Sequence, residues 1–306
     1  MARLLDDIIG EIQKGFENRF CENPTAWKNL KYYDIENFSE YLADKVNDAV
    51  KNKVNRYEKK TTNNKEEDNI RDGFKIANNT KGVQFGQPEN TFEKLIAYML
   101  DEEHCFKMVR NQMFVPDGGH IDIYCENENE CNLIELKQWE NQGNSPLYSI
   151  IEILKNYYLL LKRNDDAINN CISIKNLRHI NLIVLAPKKY YEDYGFNKQE
   201  YEHSWALLSK FMDKLSPKIK SQEKRNPQIK IKLAYLNYTD NDYKNLTQKI
   251  WENLTTKQKE DFAKNNEIII DKLKPYLELL DNQYKTNLKF STWKNQIILS
   301  TSSSDA

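Results

Sequence analysis

An aspartate, a glutamate and a lysine lie in two short alternating segments of the chain, residues 120–125 and 132–139. The Glu and Asn run between these segments is expected to be solvated, so the pattern predicts a β-hairpin with a loose loop. Successive side chains of a strand point to opposite faces, so Glu135 and Lys137 share a face that Asp122 of the neighbouring strand can also occupy. The sequence therefore predicts that these three side chains converge on one side of adjacent strands.

Two carboxylates in a half-buried sheet raise each other's pKa, and loss of hydration adds to this effect unless a cation offsets both. Mg²⁺ suits this role because it takes oxygen ligands from carboxylates, waters and substrate phosphates, and it lowers the pKa of a bound water. A lysine beside the ligand glutamate can orient or deprotonate that water, or stabilise the negative charge that develops on phosphorus. These groups are the parts of a metal-dependent phosphodiesterase.

The order Asp122, a spacer, then Glu135-Leu136-Lys137 at the end of an apolar strand resembles the motif of the PD-(D/E)XK nuclease superfamily. That superfamily includes many restriction endonucleases and repair nucleases. The resemblance in element order covers residues 88–238, about half of the chain. It implies a three-layer α/β/α restriction-endonuclease-like core with a mixed central sheet, extended by helices at both ends.

The same resemblance implies a nuclease that uses Mg²⁺, with Mn²⁺ as a substitute, and that leaves a 5′-phosphate after in-line attack. Asp122 and Glu135 would bind the metal, the Leu136 carbonyl would add a ligand, Lys137 would assist the attacking water, and Glu93 would be a second-rank acid. DNA is favoured over RNA, with a restriction or phage-defence role, and many relatives cut both strands as homodimers. The rival interpretations are a nucleic-acid-binding protein that does not cut, an RNA-directed nuclease, and a surface β-ribbon with solvated charges.

Two acidic residues near the motif have alternative interpretations. Glu93 follows Asn90 with the spacing of a capping box, which predicts a helix cap, whereas the resemblance implies that Glu93 joins the metal site. Asp117 follows a proline and would satisfy a literal search for the motif. It also precedes two glycines, however, so a turn is the favoured prediction there. His120 shares a strand face with Asp122, so it either touches the substrate or the metal or, as the favoured prediction, is an ordinary half-exposed histidine.

The helix and the strand that follow the hairpin carry further polar residues. Residues 147–161 are strongly helical by spacing, and Glu152, with Ser149 and Lys155 as neighbours, is the nearest candidate for a polar residue facing the site. A solvent-facing Glu152 is the favoured prediction. Residues 187–191 combine lysines and tyrosines at a strand end, which either grip phosphates and bases or are surface lysines beside packed tyrosines.

Composition limits the possible partners. The 306 residues carry 45 basic and 46 acidic side chains, with a pI of about 6.5, so any nucleic-acid binding must use local patches. Five cysteines without a CxxC pair fit a reducing cytoplasm, and Cys125 and Cys131 are predicted to be small buried side chains. Apolar runs are too short to span a membrane. A cytoplasmic protein without a membrane partner is expected.

The predicted organisation has four parts. Residues 1–60 form a helical hairpin whose basic end is a solvated helix end or a phosphate-contacting arm, and residues 61–87 form a polar linker. Residues 88–238 form the core. Residues 239–306 form a helical extension with a possible edge strand and a disordered tail.

Overall fold

A computed structural model of the chain describes residues 2–17, 38–56, 93, 96, 106, 108–115, 119–137, 145–162, 177–195, 199–219, 227–236, 255–257 and 260. The described α-helices are α1 (Ala2–Glu17), α2 (Phe38–Arg56), α3 (Pro146–Lys162), α4 (Lys188–Asp193) and α5 (Glu202–Leu215). The strands are β1 (Met108–Val115), β2 (Gly119–Glu126), β3 (Glu130–Leu136), β4 (His179–Pro187) and β5 (Gln228–Leu236). Short 3-10 helices span Gln199–Tyr201 and Ser216–Lys218.

The described strands form one mixed, open sheet in the order β1-β2-β3-β4-β5. The first three strands pair antiparallel, as consecutive strands joined by short connections do, whereas β3, β4 and β5 run parallel. A parallel pair needs a long crossover, and the segments that carry α3 and α5 supply the two crossovers. The protein is therefore a mixed α/β protein, and the helices and strands predicted from residues 105–238 occur in the predicted order.

The turn between β2 and β3 is shorter and more ordered than the sequence suggested. Asn127 closes it: its side-chain oxygen accepts the backbone N–H groups of Asn129 and Glu130, each at 3.0 Å. The predicted loose, solvated loop is wrong at Glu126, which is 1% exposed and accepts a 2.5 Å hydrogen bond from the Tyr124 hydroxyl. Tyr124 and Glu126 are two residues apart on one strand face, so the tyrosine can shield the carboxylate from water.

The same turn also holds the beginning of β4. The Asn129 carbonyl accepts hydrogen bonds from the backbone N–H groups of Arg178, at 3.0 Å, and His179, at 3.1 Å. The Arg178 carbonyl in turn accepts the N–H of Gln228 at 2.8 Å, at the start of β5. At this end of the sheet, backbone hydrogen bonds therefore connect the turn before β3 to the start of β4, and the start of β4 to the start of β5.

One hydrophobic core joins α1, α2, α3 and α5 to one face of the sheet. Ile8 of α1 and Val46 of α2 are fully buried in it, together with Leu154 of α3. On the opposite face, Ile134 and Ile183 are also buried, at 0% and 2% exposure. Burial on both faces explains why β4 is almost continuously apolar in sequence.

Helices α1 and α2 pack on each other, and α2 also packs on α5. Lys53 of α2 forms a 2.9 Å ion pair with Glu11 of α1. Lys218 joins Glu40 and Asp44 of α2 at 2.6 and 2.8 Å, next to the end of α5. The predictions for residues 61–87 lie outside the described residues, as do those for 239–306 apart from 255–257 and 260.

Two predictions about single side chains are decided by burial. Cys125 and Cys131 are free thiols and both are fully buried, as predicted. Tyr190 and Tyr191 are buried, and the neighbouring lysines pair with acidic residues of α4. Of the two alternatives for residues 187–191, the structure therefore confirms that surface lysines lie beside packed tyrosines. Among the described helices, none combines the length and the apolar character that a membrane crossing requires.

Candidate active site

The candidate site lies where β2 and β3 stop pairing with each other. Their backbone pairing runs from Glu126 and Cys131 to Ile123 and Ile134 and ends there. One residue further along β2, the Asp122 side chain replaces the missing backbone partner, because its Oδ2 accepts the Leu136 N–H at 2.7 Å. This hydrogen bond fixes one carboxylate at the end of the hairpin.

The backbone of β3 also directs a carbonyl group toward this gap. The Lys137 N–H donates to the Leu185 carbonyl of β4 at 2.9 Å, so the backbone N–H of Lys137 points toward β4 and away from β2. The N–H and C=O of one strand residue point to the same side, and neighbouring residues alternate. Since the Leu136 N–H reaches Asp122, the Leu136 carbonyl also faces β2.

Lys137 links β3 to α3 through two carboxylates. Its Nζ donates to Glu135 Oε1 at 2.5 Å and to Glu152 Oε2 at 3.0 Å. The side chains of Lys137 and Glu135 are 5% and 6% exposed, and that of Glu152 is 22% exposed. The prediction of a solvent-facing Glu152 is therefore wrong, because the start of α3 lies directly over the end of β3.

Burial and mutual repulsion perturb the two carboxyl groups on the strands. Burial, followed by the charge of Glu93, raises the pKa of Asp122 to about 8. Burial, followed by the charge of Asp122, raises the pKa of Glu135 well above its usual value. Glu93 itself is 2% exposed, and the influence of its charge on the pKa of Asp122 indicates that it lies near the site. Asp122, Glu135, Lys137 and Glu93 are thus brought together, and their roles stay predictions.

In the lysine and the helix carboxylate, by contrast, the pKa shifts favour the charged form. Burial alone would lower the pKa of Lys137, but the charges of Glu135, Glu152 and Asp122 outweigh it and raise that pKa well above the usual value. Burial likewise opposes ionisation of Glu152, but Lys137 outweighs it and lowers the pKa of Glu152. Lys137 is therefore an ammonium at neutral pH, which favours orienting water or stabilising charge over deprotonating water.

The donor set fits a hard divalent cation. Within the described ranges, no three His, Cys, Asp or Glu side chains are arranged as they stand to hold a metal ion. The carboxyl groups of Asp122 and Glu135 are nevertheless oxygen donors whose ionised forms repel each other, with one cationic partner, Lys137, in contact with Glu135. A divalent cation between them would favour both ionised forms, and the Leu136 carbonyl faces the same gap.

Stability without metal should depend on the pH through Asp122. A carboxyl whose pKa is about 8 in the folded protein binds its proton more tightly than in the unfolded chain, so the free energy of unfolding falls as the pH rises toward 8 and then levels off. The slope is at most about 1.4 kcal/mol per pH unit, and smaller because Asp122 is partly exposed. Asp122→Asn should flatten the profile.

This prediction is checked by urea unfolding in EDTA between about pH 4 and pH 9, because the slope extends from the unfolded-state pKa of about 3.9 to the folded-state pKa of about 8. Asp7→Asn is the matched control, because Asp7 is exposed on α1. An Asp122→Asn profile as steep as that of the wild type would contradict the assignment.

Further polar residues of α3 line the same region. The Ser149 hydroxyl is fully buried and lies 3.3 Å from that of Tyr190. Burial, followed by the charge of Glu152, raises the pKa of Tyr148 to about 12, so this phenol stays neutral at the edge of the site. His120 is half-buried, and burial, followed by the charge of Lys155, lowers its pKa. Asp117, which we predicted to be a turn residue, lies outside the described residues.

The sequence names Glu152 as a candidate for the site but does not favour it over a solvent-facing glutamate. Its spacing from Ser149 and Lys155 shows that these residues share a helix face. A shared face does not say what that face meets, and the apolar residues of α3 surround most of the helix.

Comparisons with protein-family models, with curated proteins and with solved structures give no match to this chain.

Proposed function

We propose that the protein is a Mg²⁺-dependent nuclease that hydrolyses phosphodiester bonds, with a restriction-endonuclease-like core and with DNA as the favoured substrate. The observation that carries the proposal is a pair of carboxyl groups, half-buried Asp122 and buried Glu135, at the point where two strands diverge, with the Lys137 ammonium 2.5 Å from Glu135. Buried like charges are unfavourable for a fold, so their presence together favours a functional role.

In this proposal each side chain has a separate task. Asp122 and Glu135 hold the cation, the Leu136 carbonyl is a further ligand, and Glu93 keeps additional negative charge beside Asp122. When bound, Mg²⁺ supplies Lewis-acid stabilisation of the phosphate and lowers the pKa of a bound water. Lys137 donates hydrogen bonds to the attacking water or to a phosphate oxygen, and Glu152 holds its ammonium in place from α3.

The preference for DNA and the restriction or phage-defence role come from the resemblance of Asp122 and Glu135-Leu136-Lys137 to the PD-(D/E)XK motif. The near balance of charges favours contacts through local groups over a general attraction to nucleic acid. The cytoplasm as location and a homodimer as the active form are proposals of the same origin.

The first test is a cleavage panel of plasmid, linear duplex, single-stranded DNA and structured RNA, each with Mg²⁺, Mn²⁺ or EDTA. We expect cleavage of DNA with either metal and none with EDTA, and discrete fragments would indicate a sequence-specific endonuclease. Cleavage of RNA but not of DNA would show that the protein is an RNA-directed nuclease. Binding without cleavage under all conditions would favour the non-catalytic alternative, and cleavage that persists in both Glu135→Ala and Lys137→Ala would place the activity elsewhere.

A further inference from the structure

A second polar group lies beside the carboxylates, formed by Lys155 and His120. Lys155 follows Glu152 by three residues on α3, so the two side chains share a helix face. His120 precedes Asp122 by two residues on β2, so these side chains share a strand face. The charge of Lys155 acts on both His120 and Glu152. Lys155 is therefore close to both, at the edge of the candidate site.

A direct hydrogen bond holds α3 and β2 together at this position. The Asn156 Nδ2 donates to the His120 carbonyl at 2.9 Å, and Asn156 is 1% exposed. Because Asn156 is the next residue after Lys155, this contact limits how far the lysine can move from the histidine. The two elements that position the pair are thus fixed relative to each other.

The surroundings of Lys155 lack a matched counter-ion. The residue is 6% exposed, and its ammonium forms no hydrogen bond or ion pair with any other residue in the part of the chain that the structure describes. The carboxylate that it influences, Glu152, is hydrogen-bonded to Lys137 at 3.0 Å. The stem of Lys155 is thus held by the fold, while its ammonium keeps a charge that no ion pair within the described residues neutralises and that an incoming anion can pair with.

We propose that Lys155 and His120 form an anion subsite that binds a phosphate group of the substrate next to the phosphate that is attacked. This inference rests on the proposed function, because the carboxylates and Lys137 would engage the attacked phosphate. The ammonium supplies a full positive charge, and the imidazole supplies an N–H donor at the same edge. A chain with nearly balanced charges needs such local contacts to hold a polyanion.

The salt dependence of binding tests this subsite. Binding of the cleaved nucleic acid is measured with Ca²⁺ in place of Mg²⁺ for the wild type, Lys155→Met, Lys155→Arg and Lys210→Met. Loss of one phosphate contact should reduce the slope of log K against log salt by about 0.9 for a duplex or about 0.7 for a single strand. We expect this change in Lys155→Met only, because Lys155→Arg keeps the charge and Lys210 is exposed on α5.

A scan with neutral methylphosphonate linkages locates the contact. In the wild type, a neutral linkage beside the cleavage position should weaken binding, whereas in Lys155→Met the same linkage should cause no further loss, as expected for two changes that remove one interaction. Lys155→Met keeps the apolar length of the side chain, and thermal unfolding shows that each variant is folded. If Lys155→Met fails to fold, Lys155→Gln takes its place.

Inorganic phosphate separates this inference from the proposed function. Phosphate should raise the unfolding temperature of the full-length wild type and leave that of Lys155→Met unchanged. That result without any nucleic-acid binding would keep the anion subsite and overturn the nuclease proposal. Cleavage by the wild type with an unchanged salt slope and equal phosphonate effects in Lys155→Met would overturn the subsite alone. A wild type that neither phosphate nor nucleic acid affects would overturn both.

Discussion

Replacing Lys137 by methionine is expected to reduce metal-dependent cleavage by about 10²–10³-fold, the usual effect of removing one group that stabilises charge in a transition state. Methionine has a similar length but no charge and no N–H donor. The two carboxylates within 3.0 Å of the ammonium, Glu135 and Glu152, would lose their cationic partner. Because the pKa of Glu135 is already raised, that residue can take up a proton, so the variant should still fold.

The measurement is the rate of product formation at saturating substrate, with circular dichroism and thermal unfolding to verify the fold. Lys210→Met removes an exposed lysine and serves as the matched control. Glu135→Gln, which keeps the shape and removes a proposed metal ligand, should lose activity to a similar extent. A Lys137→Met enzyme with more than half of the wild-type rate would show that the ammonium takes no part in the reaction.

Replacing Ile8 by alanine is expected to lower the free energy of unfolding by about 2–5 kcal/mol, the range for removing a large buried aliphatic side chain. Ile8 has 0% exposure, and α1 shares one hydrophobic core with α2, α3 and the sheet. The helical hairpin near the N-terminus would then unfold together with the sheet. Urea unfolding followed by circular dichroism should show one transition with a lower midpoint and an unchanged slope.

Asp7→Ala is the control for this prediction, because Asp7 is exposed on the same helix and its replacement should change stability by no more than about 0.5 kcal/mol. If α1 unfolded independently of the sheet, Ile8→Ala would leave the main unfolding transition unchanged and add a separate transition at a lower urea concentration. The same experiment therefore measures how strongly the helical hairpin and the sheet stabilise each other.

The hairpin could be predicted from the sequence because its information is local. A period of two placed Asp122, Glu135 and Lys137 on one side of neighbouring strands, and the structure brings all three together. The strand β4 could be predicted from its continuous apolar run, which few other elements of that length show. Both patterns depend only on residues that are neighbours in sequence.

The contribution of α3 could not be predicted in the same way. The buried residues of this helix include nearly every position from 147 to 161, so no single apolar stripe fixes its rotation about its axis. No pattern in the sequence therefore turns Glu152 toward Lys137 instead of toward solvent. The burial of Glu126 could not be predicted for a different reason: a run of Glu and Asn is typical of a hydrated loop, and nothing in that run shows that the Tyr124 hydroxyl donates to the carboxylate.

The turn closed by Asn127 lies at the opposite end of the hairpin from the candidate site, yet it determines which residues the site contains. Its side-chain hydrogen bonds to Asn129 and Glu130 set the offset between β2 and β3, and the Asn129 carbonyl transmits that offset to β4. Losing one residue of this turn would shift β3 by one position and exchange its two faces. Glu135 and Lys137 would then point away from Asp122. A change of charge in this turn should therefore be tolerated, whereas a change in its length should dismantle the site.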